Sequence, residues 1–348
     1  CSSDLKGYEV LGASRTKEPF RTNPLGLKRP TFKSVDITIA QELSDLLDEF
    51  TPDEIYNLAG ESSVSKSFKE PTQTIESNVV GLENLLSILV NNPKLSSTRV
   101  FQASSAEMFG SSNQALSETS AFKPVSPYAI SKLAAHQMSN NHRNTHGIWI
   151  SCGILFNHES ELRPKSFVFQ KIITSAVAIS RKSAASMKLG NLEVSRDWGY
   201  SRDYVEAMWL MLQQEKADDY VIATGDAHTV KEFVQTTFEL ANLNWKKYVH
   251  IDPRLMRPHE VPFLQGDASK AKSFVPTNSE VLSGWSKPIN PEINYRPFPK
   301  YDAGTVKAGI GYNAGENKTF KNGLMHEFVV CSNLCACFLP RNVARTWM

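Results

Sequence analysis

The strongest chemical signal in the chain is the run Ser126-Pro127-Tyr128-Ala129-Ile130-Ser131-Lys132. Tyr128 and Lys132 are four apart, so on a helix they share one face. A lysine ammonium near a phenol favours the phenolate and can draw a pKa of ~10 toward neutrality. A phenol tuned in this way can take a proton from a substrate hydroxyl while hydride leaves the same carbon. The spacing alone equally describes a tyrosine at a helix surface beside a solvated lysine. Position adds to it. Ser104 and Ser105 end the preceding predicted strand, where open α/β sheets place their ligands, and Glu107 follows two residues later. A hydroxyl, a carboxylate, a phenol and an ammonium around one crevice suit carbonyl formation with a separate proton abstraction. Read blandly, the same residues are a polar turn and a carboxylate at a helix start.

The elements that must hold these groups follow from periodicity. Strands are predicted over Tyr8 to Ser14, Phe32 to Ile37, Glu54 to Ala59, Arg99 to Ser105 and Ile148 to Phe156. Helices are predicted over Ile39 to Phe50 with Thr38 as N-cap, over Pro71 to Val90, and from Pro127 to about His146, where Gly147 ends the helix. Strand and helix taking turns at this spacing predict an α/β fold, a doubly wound parallel sheet with helices on both faces. Beyond Phe156 the rhythm loosens, with helices over Phe167 to Ser183, Arg202 to Lys216 and Val230 to Leu243. Short strands are predicted at Met187 to Leu189 and Tyr220 to Thr224. After about Trp285 the scattered Pro, Gly and Asn give no period, and residues 286–348 stay unassigned.

The chain has 348 residues, a prior of about two domains at ~150 residues each. Hydrophobic residues make up 41% and charged residues 21%, and 38 Lys and Arg against 36 Asp and Glu leave +2. That balance gives no electrostatic case for a nucleic-acid or membrane partner. No stretch reaches the ~18 apolar residues of a membrane helix. The opening residues have neither a basic nor an apolar signal region, so a cytoplasmic location is the default expectation. Of five cysteines, Cys331, Cys335 and Cys337 crowd one stretch without a second ligand pair at zinc spacing, and no metal is expected.

Further motifs carry a resemblance. Gln102 to Gly110 (QASSAEMFG) and SPYAISK at 126–132 resemble extended short-chain dehydrogenases/reductases acting on nucleotide sugars. Gly153 to Ser160 (GILFNHES), Leu189-Gly190-Asn191, Arg196-Asp197-Trp198-Gly199 and Arg257-Pro258-His259-Glu260-Val261 narrow it to the GDP-mannose 4,6-dehydratase family, from about Leu5 to Trp285. The resemblance implies a cofactor half over 1–156, with 200–225 returning to it. It implies a smaller α/β nucleotide-sugar half over 157–199 and 226–285. It implies catalytic roles for Ser105 (threonine in the family, binding sugar O4), Glu107 (acid/base at C5 and C6), Tyr128 (base at O4) and Lys132. It implies NADP as cofactor, with His158 and Arg163 beside Lys132, Asp36 and Ile37 on the adenine side, and Leu58, Ala59, Gly60 and Ser62 near the pyrophosphate. Arg15, after the first strand, suits a 2′-phosphate, which favours NADP over NAD. Asn157, Lys171, Arg196, Arg257 and Glu260 stand at positions matching GDP-mannose contacts, and a homo-oligomer is implied.

Two departures stand against it. The family's first strand and GxxGxxG phosphate loop have no counterpart, so about twenty residues are expected upstream and two neighbouring strands are expected to lack a partner between them. Gln73 stands where the family has tyrosine. The alternatives are a related nucleotide-sugar reductase or epimerase, or an inactive remnant that assembles with intact subunits.

Overall fold

The computed structural model describes residues 8–15, 31–160, 163–273 and the backbone of Ala336–Pro340. Strand β1 (Leu11–Ser14) is buried throughout and pairs in parallel with β2 (Thr31–Ser34). Helix α1 (Ala40–Phe50) buries Leu43, Leu46 and Leu47, the spacing of one helical face. It stops at Thr51, which turns left-handed (φ 40°), and Pro52 then opens β3 (Pro52–Asn57). Thr38, the N-cap expected from sequence, does not cap α1. Its backbone N–H and hydroxyl both donate to Asp36 Oδ1, and Ile39 takes the cap position without a side-chain bond.

The single helix expected over Pro71 to Val90 is divided. It runs as α2 (Pro71–Ile75), a π-turn at Glu76–Val80, and α3 (Gly81–Asn91). A Cβ on Gly81 would meet Ile37 at 2.4 Å, so glycine lets this rod lie against the loop after β2. The π-turn presents Asn78, whose amide donates to Ser131 Oγ at 2.8 Å and to the Glu61 carbonyl at 3.3 Å. Strand β4 (Arg99–Ser105) follows, then α4 (Pro127–His146). Ser126 caps α4 by accepting from Ala129 N–H, Pro127 sits in its first turn, and Gly147 ends it at φ 69°. Strand β5 (Ile150–Leu155) completes this run.

The chain then leaves the sheet. Strand β6 (Asn157–Glu159) pairs with β8 (Ser195–Tyr200), and α5 (Val168–Ser180) and β7 (Met187–Leu189) lie between them. It returns through α6 (Ser201–Leu212) and β9 (Asp219–Ile222), which pairs with β5. It leaves again for β10 (Ala227–Thr229), α7 (Val230–Leu240), β11 (Val249–Ile251) and β12 (Phe263–Leu264). In this outer part β10 and β12 flank β8, β11 pairs with β7, and Phe169 stacks on Phe233 at 3.9 Å between α5 and α7.

The large sheet has seven strands in the order β2-β1-β13-β3-β4-β5-β9, where β13 is Ala336–Pro340. Leu43, Leu47, Leu82, Leu86 and Ala135 from α1, α3 and α4 cover one face, over Leu11, Ile55, Val100 and Ile150. Tyr204, Ala207, Met208 and Met211 of α6 cover the other, over Tyr56, Phe101 and Ala103. The α/β class and helices on both faces therefore hold. Among the described residues no helix is long and apolar enough to cross a membrane.

One departure concerns the tail. The gap expected between β1 and β3 contains β13, antiparallel to both in a sheet whose other pairs are parallel. Cys337 is in register with Gly12 on one side and Tyr56 on the other. Cys331 and Cys335 lie outside the described residues. Backbone groups of β1 and β3 thus find partners that they would otherwise lack, at about 1–3 kcal/mol for each buried group left unpaired. Removal of residues 336–348 is expected to lower the thermal midpoint by at least ~10 °C or to make the protein insoluble. A midpoint unchanged on melting would show that β13 contributes nothing to the sheet.

Candidate active site

The C-terminal ends of β3, β4 and β5 open into a cleft of about 470 Å³ facing the outer part. Ser105 ends β4, and its hydroxyl accepts from the Glu107 N–H at 3.3 Å, starting the short turn that carries Glu107. Tyr128 and Lys132 come from the first turns of α4. The Tyr128 phenol is near enough to the Ser105 hydroxyl for that group to draw its pKa down, and Lys132 Nζ donates to the Ala103 carbonyl at 2.9 Å. All four line the cleft, together with Leu58, Gly60, Ser62, Asn157, His158, Arg163, Lys171, Arg196, Arg257 and Glu260. Ala59 faces a separate small recess with Arg15, Asp36 and Ile37, at the ends of β1 and β2.

Electrostatics in the cleft differ from what the sequence alone suggests. Burial pushes the Tyr128 phenol up to about 12; the Ser105 hydroxyl and Arg163 draw it down, while Glu107 adds to the rise. Burial brings Lys132 down to about 8. The ammonium rests on a backbone carbonyl, and desolvation outweighs the pull toward phenolate expected from the pair. His158 is lowered to about 4, by burial first and then by Arg163, so it is neutral near pH 7, and its Nδ1–H donates to the Phe156 carbonyl at 2.9 Å.

Glu107 faces two cations, Arg196 and Arg257, each at 3.8 Å. Arg196 is buried and largely committed. Its Nη1 donates to the carbonyls of Ser195 and Val261, and its Nη2 to Glu260 at 2.9 Å. The diphosphate contact expected of Arg196 therefore has few free N–H groups, whereas Arg257 keeps 31% of its side chain exposed. Lys171 donates to the Lys188 carbonyl at 2.7 Å and reaches the cleft from α5. Beside Arg196, Asp197 is fully buried and accepts from Thr224, Gly225 and Gly266, which locks β8 to the segments after β9 and β12.

Comparison with known proteins gives the family and the fold. A sequence model described as GDP-mannose 4,6 dehydratase matches residues 5–275. The chain belongs to the GDP-mannose 4,6-dehydratase family. GDP-mannose 4,6 dehydratase 2 of Arabidopsis thaliana is 46% identical over 85% of this chain and 79% of its own length. In fold, the chain is similar to UDP-glucose 4-epimerase of Thermus thermophilus in complex with NAD, with TM-score 0.68, 21% identity, and coverage of 82% of this chain and 91% of that one. It is also similar to RMD from Pseudomonas aeruginosa complexed with NADPH, with TM-score 0.64, 23% identity, and coverage of 75% and 92%.

Two residues at or beside the cleft have no role read from sequence. The π-turn sets Asn78 against Gly60 of the cleft wall. Glu159 lines the cleft itself and lies inside GILFNHES. Its carboxylate is 3% exposed and 3.4 Å from Arg163 Nε. Burial pushes its pKa from 4.5 up to about 7, with Arg163 pulling the other way. The folded chain thus holds this proton more tightly than the unfolded one. The stabilisation is complete below pH 4.5 and disappears as the pH rises through about 7. Between those values the unmodified protein is expected to lose up to ~3 kcal/mol relative to Glu159→Gln, measured by paired urea titrations. Parallel stability curves for the two proteins would refute the assignment.

Proposed function

We propose that this chain converts GDP-α-D-mannose to GDP-4-dehydro-6-deoxy-D-mannose and water as a hydro-lyase with bound NADP. The observation that carries the reading is the position of Glu107. A reductase or epimerase needs a phenol, a hydroxyl and a lysine, but no carboxylate held between two arginines beside them. Eliminating water across C5 and C6 does need one.

The residues present suit a nicotinamide dinucleotide. Gly60 has φ +146°, and a Cβ there would meet Asn78 Oδ1 at 2.1 Å, so the loop after β3 offers bare backbone. Asn78 Oδ1 packs against this glycine, buried and without a hydrogen-bond partner. Tyr128, Lys132, His158 and Arg163 would hold the nicotinamide ribose end, and Leu58, Ala59, Gly60 and Ser62 the pyrophosphate side. Arg15, Asp36 and Ile37 would hold the adenosine end. The chemistry NADP would supply, when bound, is hydride acceptance from sugar C4 and hydride donation to C6.

The chain's own groups manage the protons. Ser105 would hydrogen-bond O4, and Tyr128 would take the O4 proton as the C4 ketone forms. It would do so as the phenolate, which the positive charges of Lys132 and of a bound nicotinamide would favour over the protonated phenol that burial alone favours. That ketone acidifies C5–H. Glu107, 3.8 Å from both Arg196 and Arg257, removes the C5 proton and delivers a proton to the departing C6 hydroxyl, which leaves as water. As hydride returns to C6, a solvent-derived proton is added back at C5. Lys171 and Arg257 suit the diphosphate, Glu260 the ribose hydroxyls and Asn157 the cleft wall beside the sugar. In this reading the cofactor half is 1–156 with 200–225, and the nucleotide-sugar half is 157–199 with 226–285. Identical subunits would meet through α2–α4, which leave Ile75, Val80 and Ile130 exposed.

Two measurements test the reading. Glu107→Gln is expected to lower kcat for GDP-mannose dehydration by 10²–10⁴-fold, roughly the worth of a general acid/base, with NADP⁺ affinity unchanged by titration. Substantial turnover by this variant would sink the role of Glu107. The unmodified protein is expected to retain NADP⁺ in preference to NAD⁺, and Arg15→Glu to erase or reverse that preference by repelling the 2′-phosphate. Equal retention of both cofactors by the unmodified protein would refute the choice of NADP.

A further inference from the structure

Behind the cleft, a polar chain that no catalytic step uses runs from β4 across the sheet to β9. Ser104 Oγ lies 2.9 Å from His136 Nδ1 on α4, and His136 Nε2 lies 3.3 Å from Asp219 Oδ2 on β9. Asp219 is held in turn. Asn140 donates to its Oδ2 at 2.8 Å and Arg143 to its Oδ1 at 2.5 Å, while Arg143 Nε donates to the Ile150 carbonyl at 2.8 Å. Phe122 meets the His136 ring edge-on, with centroids 5.4 Å apart. Ser104 and His136 are both buried, so each contact is costly to lose.

A metal is the first alternative, because His136, Cys152 and Asp219 bring ligand atoms within 4.8 Å of one another. The cation's place is already taken. The Arg143 guanidinium sits on the Asp219 carboxylate and 3.9 Å from Cys152 Sγ. Burial and the Asp219 charge also push the Cys152 thiol well above its ordinary value, which disfavours the thiolate that a metal needs.

What the chain does hold is one residue of β4 between two working groups. On one side of Ser104 the Ala103 carbonyl receives Lys132 Nζ. On the other, the Ser105 hydroxyl caps the turn of Glu107 and faces the cleft beside Tyr128. We propose that His136 is a positioning residue for the reaction: acting through Ser104, it fixes the end of β4 from which Lys132, Tyr128 and Glu107 are all aligned. The proposal rests on the dehydratase reading above. Displacing such a constellation by ~1 Å costs up to about 10²-fold in rate, without a matching change in substrate affinity.

The test compares His136→Leu, Ser104→Ala and His136→Asn in the full chain. Asparagine keeps a polar atom at the Nδ1 position and so keeps the Ser104 contact, while losing Asp219. His136→Leu and Ser104→Ala are expected to lower kcat for GDP-mannose with NADP⁺ by at least ~10-fold, with KM unchanged within about twofold. His136→Asn should recover most of kcat. Amide hydrogen exchange over Phe101–Gly110 should rise in His136→Leu and Ser104→Ala and return toward the unmodified level in His136→Asn. An unchanged kcat and exchange in Ser104→Ala, or no rescue by His136→Asn, would overturn the proposal. If His136→Leu does not fold, Ser104→Ala decides. If the unmodified protein leaves GDP-mannose untouched, the dehydratase reading fails, and the exchange pattern still decides the positioning role.

Discussion

Lys132 Nζ resting on the Ala103 carbonyl is the contact around which the cleft is arranged. An ammonium in a buried place is expensive, and the structure meets the cost with one strong acceptor and a pKa lowered to about 8. The bond can exist only if the end of β4 sits at one height against α4. The cap on α4 fixes that height from one side. Ser126 accepts from Ala129, and the Tyr128 N–H is held by Ser67 Oγ at 3.1 Å. From the other side Ser104 and His136 fix β4 itself. Ser105 and Glu107 are then placed by the chain continuing one and three residues beyond Ser104.

Two carboxylates near this point have different surroundings. Glu107 faces Arg196 and Arg257, each at 3.8 Å. Glu159 has one cation nearby and is otherwise desolvated, and its pKa rises to about 7. Burial is also the largest cause that sets Tyr128 high and His158 low, with Arg163 opposing it at Tyr128 and adding to it at His158. A neutral imidazole and a protonated phenol stand in one cleft because burial disfavours the charged form of each.

Much of this was legible in the residues. The period of α1 and the Ser126-Pro127 start and Gly147 stop of α4 are local signals, and the structure follows them. The grouping of Ser105, Glu107, Tyr128 and Lys132 followed from strand-end logic. Contacts between distant segments were less accessible. Arg196 reads as a free guanidinium in sequence, and only the fold of β8 against Val261 and Glu260 shows its donors in use. Thr38 has the composition of a cap, but Asp36 two residues earlier competes for it. Ala336-Cys337-Phe338-Leu339 is a short apolar run of the kind strands inside a sheet adopt, yet nothing local names β1 and β3 as its partners. His136 and Asp219 meet only because β4, β5 and β9 are adjacent.

In the proposed dehydratase reading, hydride leaves C4 and returns to C6 of the same sugar, while the C5 proton that Glu107 removes is replaced from solvent. GDP-mannose deuterated at C4, turned over in ordinary water with NADP⁺ and analysed by mass spectrometry and NMR, tests it most directly. The account predicts a 4-keto product that keeps the deuterium at C6 and carries a solvent-derived proton at C5. Deuterium lost to free NADPH, or a product still hydroxylated at C6, would contradict it.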